Sequence, residues 1–145
     1  MKPTAHFPVG GRLPAFSARL ADGTAFSLPG APQQVVILSF WASYCGPCRA
    51  EAPLLSGAAA ADVRVVGLSV EDAMPLPEIA RQAQSLGMHY PVGSADPALL
   101  DLFQVGAVPT TYVIARDGVI VMSRVGAISS SELDAALAAA RRRTG

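Results

Sequence analysis

The chain holds only two cysteines and two histidines in 145 residues. A structural zinc site needs about four ligands. His6 and His89 lie far apart and lack the usual paired spacing, so zinc is poorly served. Excess charge of one sign is missing too: 11 basic and 11 acidic residues give a formal net charge of zero. That removes the electrostatic footprint of a nucleic-acid binder. No apolar run approaches the roughly 18 residues of a membrane span. No apolar leader follows Met1; Pro3, Thr4, Ala5 and His6 run on into prolines and glycines. Repeats are absent, and the only compositional bias is an Ala-rich helical tendency.

What remains is a chain of one-domain size, 51% apolar, with enough hydrophobic side chains to exclude disorder. Residues 1–10 carry no periodicity and read as a tail before a domain over 11–145. Phe16–Leu20 and Thr24–Leu28 alternate about the turn signal Ala21-Asp22-Gly23, which predicts a hairpin. Gln34–Phe40 is apolar almost throughout, as a strand covered on both faces should be. A helix is expected from about Cys45 to Ala60, with Pro53 inside it as a kink. Val63–Val70 gives a second buried strand, parallel to the first across a right-handed crossover.

Pro75 and Pro77 open a second helix, spaced by Ile79, Ala83 and Leu86 and capped by Gly87. Tyr90–Val92 reads as a short strand. Asp96-Pro97 starts a third helix that buries Leu99, Leu102 and Phe103 and stops at Gly106. Thr110–Ala115 and Val119–Val125 form an antiparallel pair about a two-residue Asp117-Gly118 turn. A capping box from Ser129 to Glu132 opens the last helix. Arg141, Arg142 and Arg143 lie at its negative end. The fold class is α/β, a central mixed sheet flanked by helices.

Chemistry concentrates in FWASYCGPCRAEAP, residues 40–53. Cys45 and Cys48 stand where strand gives way to helix. The first helical turn presents unpaired N–H groups and the positive end of the macrodipole, which stabilise a thiolate. Cys45 is expected at the accessible tip, with Cys48 on the same face and further in. Pro47 suits an early helical position, where its missing N–H costs little. Zinc, a purely structural disulfide and two inert buried thiols are the competing readings. So short a loop stabilises little through unfolded-state entropy. A CxxC at a strand-to-helix junction in a βαβ setting points to redox work.

These residues resemble the active site of the thioredoxin superfamily. The pattern C-x-x-C-R-x-E-x-P, with Glu51 and Pro53, is most similar to the TlpA/ResA-type proteins. Val108-Pro109-Thr110-Thr111 matches the family's second signature, a cis-proline loop facing the cysteines. The likeness runs from about Gly11 to the last helix. It implies a thioredoxin-like fold with an N-terminal β-hairpin and a central αβ insertion. It also implies a thiol–disulfide oxidoreductase, here expected to reduce protein disulfides. Cys45 would be the nucleophile and Cys48 the resolving thiol. Glu51, a helical neighbour of Cys48, would handle protons. Ordinary thioredoxins carry a buried aspartate two residues before the tryptophan; here that position is Ser39. Pro109 would turn the Val108 backbone toward the cysteines, so that Val108 and Thr110 border an extended substrate segment. Trp41 would pack beneath the pair. Tyr44, Gly46 and Pro47 would line the docking surface. Arg49 is expected to face solvent.

The resemblance implies no cofactor and no metal. It implies protein disulfide or dithiol substrates, a membrane or soluble electron donor, and a monomer. Its members are exported or tethered, so an extracytoplasmic location with a leader or anchor removed is expected, the cytoplasm being the alternative. Cytochrome c maturation and metal-centre assembly are the roles it suggests. Two other functions compete. A peroxiredoxin-like peroxidase would place Pro and Thr where this chain has Leu38 and Ala42. A copper(I) chaperone of this fold would use the two soft thiolates, but usually with wider cysteine spacing and a histidine near the cis-proline loop.

Overall fold

The computed structural model describes residues 4–30 and 33–143. Seven strands form one mixed sheet: β1 (Phe16–Leu20), β2 (Ala25–Leu28), β3 (Val35–Trp41), β4 (Val63–Ser69), β5 (Val92–Ser94), β6 (Thr110–Ile114) and β7 (Ile120–Val125). Their order across the sheet is β2-β1-β5-β4-β3-β6-β7. The pairs β3–β4 and β4–β5 are parallel, and the rest are antiparallel. Four helices cover it: α1 (Gly46–Ala58), α2 (Leu76–Ser85), α3 (Pro97–Phe103) and α4 (Ser130–Arg142). This is the thioredoxin-like α/β architecture expected from the sequence, hairpin included. Among the described residues, no helix is long and apolar enough to cross a membrane.

Every residue of β3 is buried, so the strand has no polar face to spare. Its side chains alternate between two cores. Val36, Leu38 and Phe40 join Val66 and Leu68 of β4, the hairpin residues Leu20 and Phe26, and Leu99 and Phe103 of α3. Val35 and Ile37 face Leu55 of α1 and Leu133, Ala136 and Leu137 of α4. A third cluster, around Trp41, joins the start of α1 to Ile79 and Ala83 of α2. It lies at the C-terminal end of β3 and carries the cysteines.

Phe103 is the hub of the first core. Its ring meets Phe7, Phe16, Phe40 and Tyr112 at centroid distances of 4.8–5.8 Å. The Phe7 N–H also donates to the Tyr112 hydroxyl at 3.3 Å. The segment 4–10, which carries no periodicity, is thus laid against the domain by one aromatic ring. Gly10 N–H donates to Ile120 O at 2.8 Å in the same stretch.

Four local expectations change. The short strand is Val92–Ser94 rather than Tyr90–Val92. Pro91 has no N–H for a ladder, and pairing begins where its carbonyl accepts Gly67 N–H at 3.0 Å. Helix α3 ends at Phe103, before Gly106, because Gln104 takes the left-handed conformation at φ 50° and closes the last turn on Leu100 O. Leu102 is only half-buried. Five residues, 115–119, connect β6 to β7, with Arg116–Gly118 at the tip. Ala115 N–H donates to Val119 O, and Gly118 at φ +89° supplies the left-handed position such loops need. At the last helix's end, Arg141 pairs with Asp62 and Arg143 with Asp117, both on the surface. Such exposed, solvent-screened pairs add little to stability.

Candidate active site

Helix α1 begins with a sulfur in place of a capping oxygen. Cys45 is its N-cap, with extended backbone, and its Sγ accepts the Cys48 N–H at 3.1 Å. Pro47 follows in the first turn, where no N–H is required. The structure is of the oxidised state: Cys45 and Cys48 are joined by a disulfide, with Cα atoms 5.3 Å apart. The sequence places Cys45 at an accessible tip. In this state it is only 6% exposed, and Cys48 is 2% exposed. Trp41, Ala42, Ala52 and the half-buried Val108 close round the pair. Exposure belongs to the flanks instead: Tyr44 is 76% exposed, and Gly46 and Pro47 also face solvent.

The loop that delivers Cys45 is clamped from the neighbouring strand. Trp41 pairs in register with Ser69 at the end of β4. Two residues on, Glu71 accepts the Ser43 N–H at 2.5 Å and the Ser43 hydroxyl at 2.9 Å. Cys45 N–H donates to Ala42 O at 3.2 Å, which tightens the turn. Glu71 was not singled out in the sequence. Its signal lies in strand register: a parallel β4 ending at Ser69 brings the following residues beside the loop after Trp41.

Glu51 is buried, 2% exposed, one turn into α1 beyond Cys48. Its Oε1 accepts the Thr111 hydroxyl at 2.8 Å, and Ser39 Oγ lies 3.4 Å from that same Thr111 oxygen. Oε2 is buried with no partner among the described residues, as is Trp41 Nε1. Burial disfavours the carboxylate and raises its pKa above the ordinary value. The Thr111 hydrogen bond, and the nearby Ile128 backbone and Ser39 hydroxyl, oppose this only partly. Tyr90 stands close enough for the Glu51 charge to add to burial in raising its own pKa. Ser39, which cannot titrate usefully, serves here as a polar neighbour of the carboxyl that can.

The second expected element sits on the strand beside β3. The Val108–Pro109 peptide bond is cis. Pro109 and Thr110 are buried, and Thr110 Oγ1 donates to Ala107 O at 2.7 Å, pinning the loop. The Pro109 carbonyl accepts Gly126 N–H at 2.8 Å. Val108 packs against the cluster that holds the cysteines. Arg49 is exposed and donates to Ser85 O at 3.2 Å, away from the sulfurs. His89 is exposed as well. Among the described residues, no group of three or more His, Cys, Asp or Glu side chains is placed to hold a metal ion.

Comparison with known proteins agrees with this geometry. The AhpC/TSA family pattern matches residues 9–123. The thioredoxin-like protein YneN of Bacillus subtilis is 30% identical over 129 residues, covering 86% of this chain and 76% of that one. The thiol-disulfide oxidoreductase ResA of the same organism is 26% identical over 127 residues, covering 84% and 70%. The crystal structure of a putative thiol:disulfide interchange protein DsbE from Chlorobium tepidum superposes with a TM-score of 0.77 at 25% identity, over 92% of this chain and 98% of that one. A disulfide-bonded cysteine pair at the head of α1, on this fold and among these relatives, makes the chain a thioredoxin-like thiol–disulfide oxidoreductase belonging to the AhpC/TSA family.

Proposed function

We propose that the chain reduces disulfides in extracytoplasmic proteins, in the service of cytochrome c maturation or metal-centre assembly. The observation that carries this reading is the Cys45 sulfur at the head of α1, accepting the Cys48 N–H where a helix favours negative charge. In the reduced enzyme the Cys45 thiolate attacks a substrate sulfur. A mixed disulfide forms, and the substrate's other sulfur leaves as a thiolate that takes up a proton. Cys48 then loses its proton and attacks Cys45 Sγ. That closes the enzyme's disulfide and frees the second substrate thiol, two electrons having passed to the substrate. Glu51, buried one turn from Cys48 with one oxygen unpartnered among the described residues, would accept the Cys48 proton. An extended substrate strand would lie along Val108, Pro109 and Thr110. The exposed Tyr44, with Gly46 and Pro47, would border that strand on its other side.

The Gly46-Pro47 dipeptide, shared with reducing thioredoxins, supports the direction. A relative named thiol:disulfide interchange protein HelX, from Rhodobacter capsulatus, supports disulfide exchange as the reaction. The deciding experiment is the reduction potential of the Cys45–Cys48 couple in glutathione or dithiothreitol buffers. A reductant lies near the thioredoxin figure of about −270 mV, and a value near about −120 mV would make the enzyme an oxidant instead. A Cys48→Ser variant should trap the substrate as a mixed disulfide on Cys45, which identifies the partner directly.

A further inference from the structure

Arg64 occupies a position that ordinarily belongs to an apolar side chain. It alternates on β4 with Val66 and Leu68, both in the first core. In register it lies beside Val36 of β3, which in turn pairs with Ile114 of β6. Arg64, Val36 and Ile114 therefore form one row on the core-facing side of the central sheet. The Arg64 guanidinium is half-buried and stacks over the Phe26 ring at 5.0 Å. Among the described residues, no carboxylate lies within 4.0 Å of it.

This row floors a cavity of about 270 Å³, near the lower end of small-molecule pockets. Phe26, Val36 and Ile114 make its apolar wall, and Arg12, Arg64 and Arg116 point positive charge at it. Asp117 is the one acidic residue on its lining. Its carboxylate is already taken, Oδ2 by Arg143 at 2.9 Å and Oδ1 by the Val119 N–H at 3.2 Å. Arg12 donates to the Asp117 carbonyl rather than to a carboxylate. The Asp22 carboxylate, its pKa lowered first by Thr24 hydrogen bonds, also feels the Arg64 charge, which lowers it further. Among the described residues, however, no carboxylate pairs with the half-buried guanidinium, and its N–H groups can meet an anion in the cavity. The site is separate from the redox centre: Val36 and Trp41 are five residues apart on β3, roughly 16 Å along the strand.

We propose that this cavity binds a small amphipathic anion, a carboxylate or phosphate head on a short apolar body. The head would sit between Arg64 and Arg116, and the body would lie on Phe26, Val36 and Ile114. Arginine suits the task, since its planar fork meets both kinds of oxyanion with paired hydrogen bonds.

Calorimetry on the full chain, with octanoate, octyl phosphate, octanol and acetate as probes, tests it. Saturable binding of octanoate or octyl phosphate is expected, with octanol and acetate at least about tenfold weaker. Whichever headed probe binds more tightly names the head group. Arg64→Met, which keeps an apolar stem, should weaken that probe about tenfold or more. Arg116→Met, on an exposed loop, gives the same test should Arg64→Met fail to fold. In amide NMR spectra the signals of Phe26, Val36 and Ile114 should move, while those of Trp41 to Cys48 stay put. No saturable binding of either headed probe would overturn the assignment. So would octanol binding as tightly as octanoate, indifference to both arginine variants, or shifts confined to the cysteine end.

Discussion

Thr111 donates its hydroxyl proton to Glu51 Oε1 at 2.8 Å, across the gap between the second turn of α1 and the strand after the cis-proline loop. The bond ties the two sequence signatures of the site together at a point below the disulfide. It also leaves the carboxylate half satisfied, because Oε2 is buried without a partner among the described residues. A carboxyl held this way prefers to keep its proton, yet can give it up when a neighbouring thiol changes state.

Replacing Glu51 by Gln should move the pH midpoint of thiol alkylation downward by more than about half a unit, because a nearby negative charge opposes thiolate formation. Iodoacetamide rates across pH on the reduced enzyme measure this. An unchanged curve would take Glu51 out of the mechanism.

The same group sets a stability trend. Glu51 binds its proton more tightly folded than unfolded, since its native pKa is raised above 4.5. Stability from this group is therefore complete below the ordinary carboxylate range and declines as pH rises toward the native value. Urea midpoints of the wild type should fall relative to Glu51→Gln across that window, then run parallel. A wild type that gained on Glu51→Gln as pH rose through that window would have the wrong sign.

Thr111→Val removes the hydroxyl that favours the charged carboxylate. It should cost about 1–3 kcal/mol and raise the Glu51 pKa further. Thr111→Ser should retain most of both. If Val and Ser variants share one pH profile for thiol reactivity, Thr111 is only packing.

Glu71→Ala frees the loop before Cys45 by removing both acceptors of Ser43. Insulin reduction should slow about three- to thirtyfold through misplacement of the nucleophile, with a stability loss of about 1–3 kcal/mol. A variant with full activity would show that Ser43 needs no clamp.

The parts of this fold legible in the sequence are those governed by short-range rules. Cys45 and Cys48 at a helix start, the Asp22-Gly23 hairpin, the Ser129–Glu132 capping box and the almost wholly apolar β3 all announce themselves within a few residues. What stayed hidden depends on pairing between distant segments. Thr111 reaches Glu51 and Glu71 reaches Ser43 only because β6 and β4 flank β3 in a particular register. Gln104 ends α3 where glycine looked the better candidate, since a backbone hydrogen bond to Leu100 repays the strained conformation. Cys45 is more covered than its position at a helix tip suggests, because Trp41, Ala42 and Val108 arrive from other elements.

Gly67 offers a last test, of the floor beneath the site. It lies in β4, and a Cβ placed there would stand 3.1 Å from Trp41 Nε1 and 3.1 Å from Tyr90 Cε1. Both rings use the absent side chain's space, and Trp41 in turn underlies the cysteines. Gly67→Ala must shift one ring by a few tenths of an ångström, at a cost of about 1–3 kcal/mol. Trp41 is the only tryptophan, so its emission reports the displacement directly. Expected are a changed emission maximum, a lower urea midpoint and slower disulfide reduction, with a second substitution, Tyr90→Val, restoring the midpoint by making room. Should Gly67→Ala match the wild type in both emission and midpoint, the indole is not held by this contact, and the support for Cys45 must come from Ala42, Ala52 and Val108.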